Sequence, residues 1–109
     1  MRTRLRYSVA LLLMLAVNLP AQTRYYVDSY QDNDDETGLD TWSQAKKYLQ
    51  SALALAGDGD EIWVEAGIYY PDEGDDQIND EQSSSFSIPS GVKVYGGYRS
   101  GGGDRDWAQ

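Results

Sequence analysis

The chain has 109 residues, enough for one small domain, and its 18 acidic against 9 basic residues give a net charge of −9. This balance argues against nucleic acid as a partner and against docking on anionic membranes, because both need a basic face. The chain has no Cys and no His, which excludes disulfides and thiolate nucleophiles and removes the usual general base near neutral pH.

The first residues have the pattern of an export signal. Arg2, Arg4 and Arg6 precede an apolar run at residues 9–17, and small or helix-breaking residues follow. This order predicts a signal peptide at residues 1–21. The run is far shorter than the ~20 residues of a membrane span, although a retained anchor is the alternative interpretation. We expect cleavage after Ala21, with cleavage after Thr23 as the alternative, and a secreted or cell-surface product without a membrane span.

The next residues predict a strand, a loop and a helix. Residues 24–29 (RYYVDS) are rich in β-formers, and residues 30–40 carry five acidic side chains typical of a solvated loop. Residues 41–56 predict one helix, with Thr41 and Gln44 as a capping box and apolar side chains every three or four positions. Its apolar face, which includes Trp42, Leu49 and Leu53, should pack on the following strand.

The second half of the chain predicts further strands. Residues 61–66 alternate, with Ile62 and Val64 inward, and the strand resumes at residues 68–70. After an acidic loop at 72–84, residues 85–88 and 92–98 predict two more strands. A shift of 30 residues places Ile62 on Val92 and Val64 on Val94. Short strands repeating at a fixed period are typical of a β-solenoid.

Several motifs together carry a family resemblance. They are YVD at 26–28, the helix 41–56, GDEIWVEAGIY at 59–69, GVKVYGGY at 91–98 and RDW at 105–107. This pattern resembles the N-terminal cap of secreted bacterial right-handed parallel β-helix proteins of the pectin-lyase-like superfamily, in the adhesin-like branch. The resemblance covers nearly the whole mature chain.

The resemblance implies a mainly β fold with one capping helix, as the incomplete N-terminal end of a right-handed parallel β-helix. Residues 24–109 would form the cap and the first one to two coils of a truncated protein, with the remaining coils of the parent chain as partners. We expect a non-enzymatic structural or adhesion module. The alternative is the cap of a polysaccharide-degrading lyase or glycoside hydrolase whose catalytic coils are missing. A third hypothesis is a self-standing small α+β binding protein.

Two residue clusters are candidates for ligand binding, and no cofactor is expected to be required. The hard oxygens of Asp32, Asp34, Asp35 and Glu36 suit calcium, although the spacing does not match an EF-hand and the composition favours a solvated acidic loop. A second acidic cluster lies at residues 72–76. Trp63 points away from Ile62 and Val64, so it either stacks on a polysaccharide or cell-surface glycan or packs against the 24–29 strand.

Overall fold

The computed structural model describes residues 22–99. The predicted signal peptide and the RDW motif therefore lie outside the described residues. The elements are strand β1 (Arg24–Val27), a short 3-10 helix (Trp42–Gln44), helix α1 (Leu49–Leu55), strand β2 (Glu61–Glu65) and strand β3 (Lys93–Tyr98). No helix in this part of the chain is long and apolar enough to cross a membrane.

The three strands form one sheet with β2 in the centre, and both pairings are parallel. Tyr26 lies beside Trp63, and Val27 lies beside Val64. Because side chains alternate along a strand, these two pairs lie on opposite faces of the sheet. The sheet therefore has an aliphatic face and an aromatic face.

Helix α1 covers the aliphatic face. Ala52, Leu53 and Ala56 pack there against buried side chains from all three strand regions, and Leu49 is partly buried at the edge of the same cluster. The strand side chains of this core are Val27, Ile62, Val64 and Val92. Ile62 and Val27 are fully buried, as is expected for a parallel sheet with a covered face.

The predicted β-helix is wrong. Residues 22–99 form a single three-stranded parallel sheet with one α-helix, and not a solenoid. A solenoid requires each coil to stack its inward side chains on the next coil. Here the aliphatic face is closed by α1 instead, and the long acidic segments between the strands contain turns rather than regular strands.

The repeat behind that prediction does mark two neighbouring strands, but in a different register. The shift of 30 residues pairs Ile62 with Val92, whereas the structure places Ile62 beside Val94 and Trp63 beside Tyr95. An offset that differs by two residues leaves the inward and outward faces unchanged, because the side-chain period of a strand is two. The prediction of inward Val92 is confirmed, since this side chain is 9% exposed.

The predicted helix at 41–56 forms only in its second half. Thr41 is extended, with φ −143°, and its side chain makes no cap hydrogen bond. Lys46 instead pairs with the outer edge of β1: its N–H donates to the Tyr26 carbonyl at 2.9 Å, and its carbonyl accepts from the Asp28 N–H at 2.8 Å. This extended pairing separates the 3-10 turn from α1, so tertiary contacts override the helical pattern.

Two other predicted strand segments are also wrong. Strand β2 ends at Glu65, and residues 68–70 and 85–88 are not in strands. Ile68 and Ile88, which lie in these two segments, are 71% and 57% exposed. These short apolar runs lie beside acidic turns and find no neighbouring strand within the described sheet.

Candidate functional site

The most distinctive surface is the aromatic face, formed by Arg24, Tyr26, Trp42, Trp63 and Tyr98. Trp42 meets Tyr26 edge-on with ring centroids 4.8 Å apart, and it lies 5.6 Å from Tyr98. Tyr26 also meets Trp63 edge-on, at 6.0 Å. Edge-to-face and offset contacts at these distances stabilise aromatic pairs beyond the area they bury. The 3-10 turn thus places Trp42 as a lid on the aromatic face, not on the aliphatic core as predicted.

Trp63 lies at the centre of this face, between a cation and a second ring. The Arg24 guanidinium carbon lies 3.7 Å from the centroid of the indole. The Tyr98 ring stacks on Trp63 with centroids 4.6 Å apart and an interplanar angle of 10°. Because a guanidinium and a stacked ring need separate faces of the indole, both faces of Trp63 are covered.

Glu61 holds two members of this stack from one side. Its carboxylate lies 3.5 Å from the Arg24 side chain and accepts a hydrogen bond from the indole N–H of Trp63 at 3.0 Å. Arg24 is 46% exposed and Glu61 is 28% exposed, so the ion pair itself adds little stability. Its consequence is geometric, since it fixes where the guanidinium lies over the indole.

Packing against β1, through Arg24, covers one face of Trp63, as one of the two sequence hypotheses expected, and Tyr98 of β3 covers the other face. Tyr26 and Tyr98 are buried, whereas Trp42 and Trp63 are half-buried. The two half-buried indoles lie on the same face as the partly exposed Arg24–Glu61 pair. This combination offers apolar contact area together with one donor and one acceptor group at the surface.

Asp34, one of the four predicted calcium ligands, has a structural contact. Its carboxylate accepts hydrogen bonds from the backbone N–H groups of Lys47 at 2.7 Å and Tyr48 at 3.2 Å, and from the Ser51 hydroxyl at 2.5 Å. Tyr48 is the N-cap residue of α1 and has no cap bond from its own side chain. Asp34 therefore fixes the two residues that precede α1 and the Ser51 hydroxyl in its first turn, with a negative charge near the positive end of the helix.

The other predicted ligands, Asp32, Asp35 and Glu36, are exposed in the same loop. Across a cleft of about 510 Å³, Asp34 faces members of the second acidic cluster, including Asp72 and Asp75. Within residues 22–99, no group of three or more acidic side chains is placed to hold a metal ion. Calcium binding by Asp32, Asp34, Asp35 and Glu36 stays a prediction.

Tyr69 connects the end of β2 to the end of β1. Its hydroxyl donates to the Glu65 carbonyl at 2.7 Å and accepts from the Ser29 N–H at 3.2 Å. Burial raises the pKa of the Tyr69 phenol above its ordinary value near 10, although the Ser29 hydrogen bond acts in the opposite direction. The unfolded chain therefore ionises first, and stability from neutral Tyr69 is lost as pH rises above about 10.

Sequence reasoning missed Trp42 and Tyr98 as members of the aromatic face. Simple alternation places Tyr98 on the side of Val94, but an irregularity in the β2–β3 pairing brings it opposite Glu65. Gly97 lies in this stretch with φ +82°, a backbone region that favours glycine. The glycine pair before Tyr98 was the available signal for a bulge. Glu65, which is 1% exposed, was also not singled out.

Comparison of the chain with protein-family models, with curated proteins and with solved structures finds no match. The family resemblance therefore rests on the sequence motifs alone.

Proposed function

We propose that the chain is exported and acts outside the cytoplasm as a non-enzymatic adhesion module that binds a neutral glycan at its aromatic face. The observation that carries the proposal is the cluster of two half-buried indoles beside the Arg24–Glu61 pair. The apolar C–H groups of a sugar ring would pack on the accessible surface of Trp42, since both faces of Trp63 are covered, and its hydroxyls would bond to the guanidinium and carboxylate groups of Arg24 and Glu61.

The charge of the chain supports a neutral ligand. With a net charge of −9, the protein repels polyanions such as acidic polysaccharides at long range. The one cation of the aromatic face, Arg24, is already paired with Glu61. A neutral glycan can use both groups as hydrogen-bond partners without an unbalanced charge.

The rigidity of the face also supports binding. Trp63 is held in place by its contacts with Arg24, Tyr98 and Glu61. Trp42 lies on a turn that is bonded to the preceding loop, because the Gly38 N–H donates to the Gln44 carbonyl at 2.7 Å. Side chains that are already ordered lose little entropy when a ligand binds. The aromatic face is thus arranged before any contact with a glycan.

Affinity electrophoresis of the mature chain tests the proposal. Gels containing dextran, mannan or xylan, each a neutral polysaccharide, should retard the protein, whereas polygalacturonate should not. Trp42→Ala removes an aromatic anchor at the rim and should weaken binding by about thirtyfold, which corresponds to ~2 kcal/mol. Tyr30→Ala, at a side chain that is 72% exposed outside the aromatic face, is the control and should bind normally.

Circular dichroism of each variant shows whether the fold is retained, so that loss of binding is separated from loss of structure. If none of the neutral polysaccharides retards the wild-type protein, the glycan proposal is wrong. Equal retardation of folded Trp42→Ala and wild type would move any binding site away from the aromatic face.

A further inference from the structure

We infer that the aromatic face takes a run of at least two consecutive sugar rings of a glycan chain, and not a single monosaccharide. This inference rests on the proposed function and names the class of glycan that the same site binds. The planar side chains of the aromatic face form a row. Both ends of that row are partly exposed, whereas its middle is covered.

The centre of the row is the stack around Trp63. The Arg24 guanidinium lies over one face of the indole, 3.7 Å from its centroid, and the Tyr98 ring lies on the other face, with centroids 4.6 Å apart. Because they lie on opposite faces, Arg24 and Tyr98 are separated by the whole thickness of this stack. Trp42 meets the row at Tyr98, with centroids 5.6 Å apart.

The register of the strands gives the row its direction and length. Arg24 lies beside Glu61 at the start of β2, whereas Tyr98 lies beside Glu65 at its end. These two positions are four residues apart on β2, which corresponds to about 13 Å of backbone at a rise of ~3.3 Å per residue. The two side chains lean toward each other and reach the same indole from opposite sides. The row therefore runs along the strands.

The exposed groups lie at the two ends of the row. At one end, the side chains of Arg24 and Glu61 are 46% and 28% exposed. At the other end, Trp42 is half-buried. Between them, Tyr98 is 8% exposed, and both faces of Trp63 are covered. A ligand therefore finds polar partners at one end of the row and apolar surface at the other.

A single sugar ring is too short to contact both ends. Two stacking distances, 3.7 Å and 4.6 Å, lie between Arg24 and the Tyr98 ring that Trp42 contacts. A pyranose is a six-membered ring, comparable in width to one phenol, so it covers only one such step. A chain of linked rings can place one ring on Trp42 and a following ring against the guanidinium and carboxylate at the other end.

Contact at both ends makes affinity depend on chain length. Once one ring is bound at Trp42, the ring linked to it reaches the Arg24–Glu61 pair in an intramolecular step, at a high effective concentration. A monosaccharide binds at one end at a time and gains nothing from the other end. Affinity should therefore rise sharply between one and three rings and then level off.

Competition in the affinity gels tests the inference. Xylose, xylobiose and xylotriose compete against xylan, and the corresponding glucose and mannose series compete against dextran and mannan. The trisaccharide should restore half of the free mobility at a concentration at least about tenfold lower than the monosaccharide, whereas longer fragments should add no more than about threefold from their extra binding frames. Equal potency of the monosaccharide and the trisaccharide in the wild-type protein overturns the inference.

Trp42→Ala removes one end of the row. The advantage of the trisaccharide should then fall to about threefold or less, because no ligand can contact both ends. Tyr30→Ala, at a side chain that is 72% exposed outside the aromatic face, is the control and should keep the full advantage. Circular dichroism checks that each variant is folded, and the wild-type length series tests the inference without any variant.

The outcomes separate this inference from the proposed function. An undiminished trisaccharide advantage in folded Trp42→Ala, or an advantage that begins only beyond three rings, overturns the two-ended site and leaves glycan binding standing. If no polysaccharide retards the wild-type protein, the proposed function itself is wrong.

Discussion

Replacing Leu53 with alanine should destabilise the protein severely. Leu53 is 5% exposed and packs between α1 and the aliphatic face of the sheet. Truncating a buried leucine leaves a cavity and costs about 2–5 kcal/mol. A domain of this size has a total free energy of unfolding of about 4–12 kcal/mol. A single substitution should therefore remove between about a sixth and all of the stability.

Leu55→Ala is the matched control, because it lies in the same helix and makes the same change in helix propensity. Leu55 is 48% exposed, so we expect a change below about 1 kcal/mol. Urea unfolding followed by far-UV circular dichroism and by tryptophan fluorescence measures both variants. The packing of α1 on the sheet would be refuted if the two substitutions cost the same, or if Leu53→Ala cost less than about 1 kcal/mol.

Three further predictions follow from local contacts. Asp34→Ala should lower the free energy of unfolding by about 1–3 kcal/mol, equally in EDTA and in calcium, because it removes the hydrogen bonds to Lys47, Tyr48 and Ser51 at the start of α1. Asp35→Ala in the same loop is the control, and an effect confined to calcium buffer would identify Asp34 as a calcium ligand instead. Gly74→Ala should lower the free energy of unfolding by more than about 1 kcal/mol, because Gly74 has φ +111° and an added Cβ would lie 2.9 Å from the Tyr48 Cβ. Gly96→Ala is the control and should have a far smaller effect, because a Cβ added there meets no atom within 4 Å. Tyr69→Phe should flatten the fall in urea midpoint above about pH 10, because the buried phenol titrates later in the folded state than in the unfolded chain; a fall as steep as in wild type would contradict this.

The inward face of β2, and that of the chain at Val92 and Val94, could be predicted from the sequence. The alternation around Ile62 and Val64 requires only that one face of the sheet be covered, and the structure covers it. The sequence repeat also indicated that β2 and β3 are parallel neighbours. Local alternation does not determine what covers the apolar face, and a solenoid and a helix-covered sheet satisfy the same pattern.

The interruption of the predicted helix could not be read from residues 41–56 alone. The periodic apolar side chains favour a continuous helix, but the backbone of Lys46 completes the outer edge of β1. Edge strands carry unpaired backbone groups, so pairing with Lys46 offsets the lost helical bonds. The resulting break moves Trp42 from the aliphatic core to the aromatic face, and thereby creates the candidate site.

The two faces of the sheet allow stability and binding to be tested separately. Leu53 and Ile62 lie in the aliphatic core, whereas Trp42 contacts Tyr26 and Tyr98 on the other side. Substitutions that are far apart and share no partners have additive effects on stability. Trp42→Ala should therefore weaken glycan binding by the same factor in the wild-type background and in an Ile62→Val background, which perturbs the aliphatic core mildly. If binding instead depended on the aliphatic core, variants of either face would lose glycan binding in proportion to the stability that they lose.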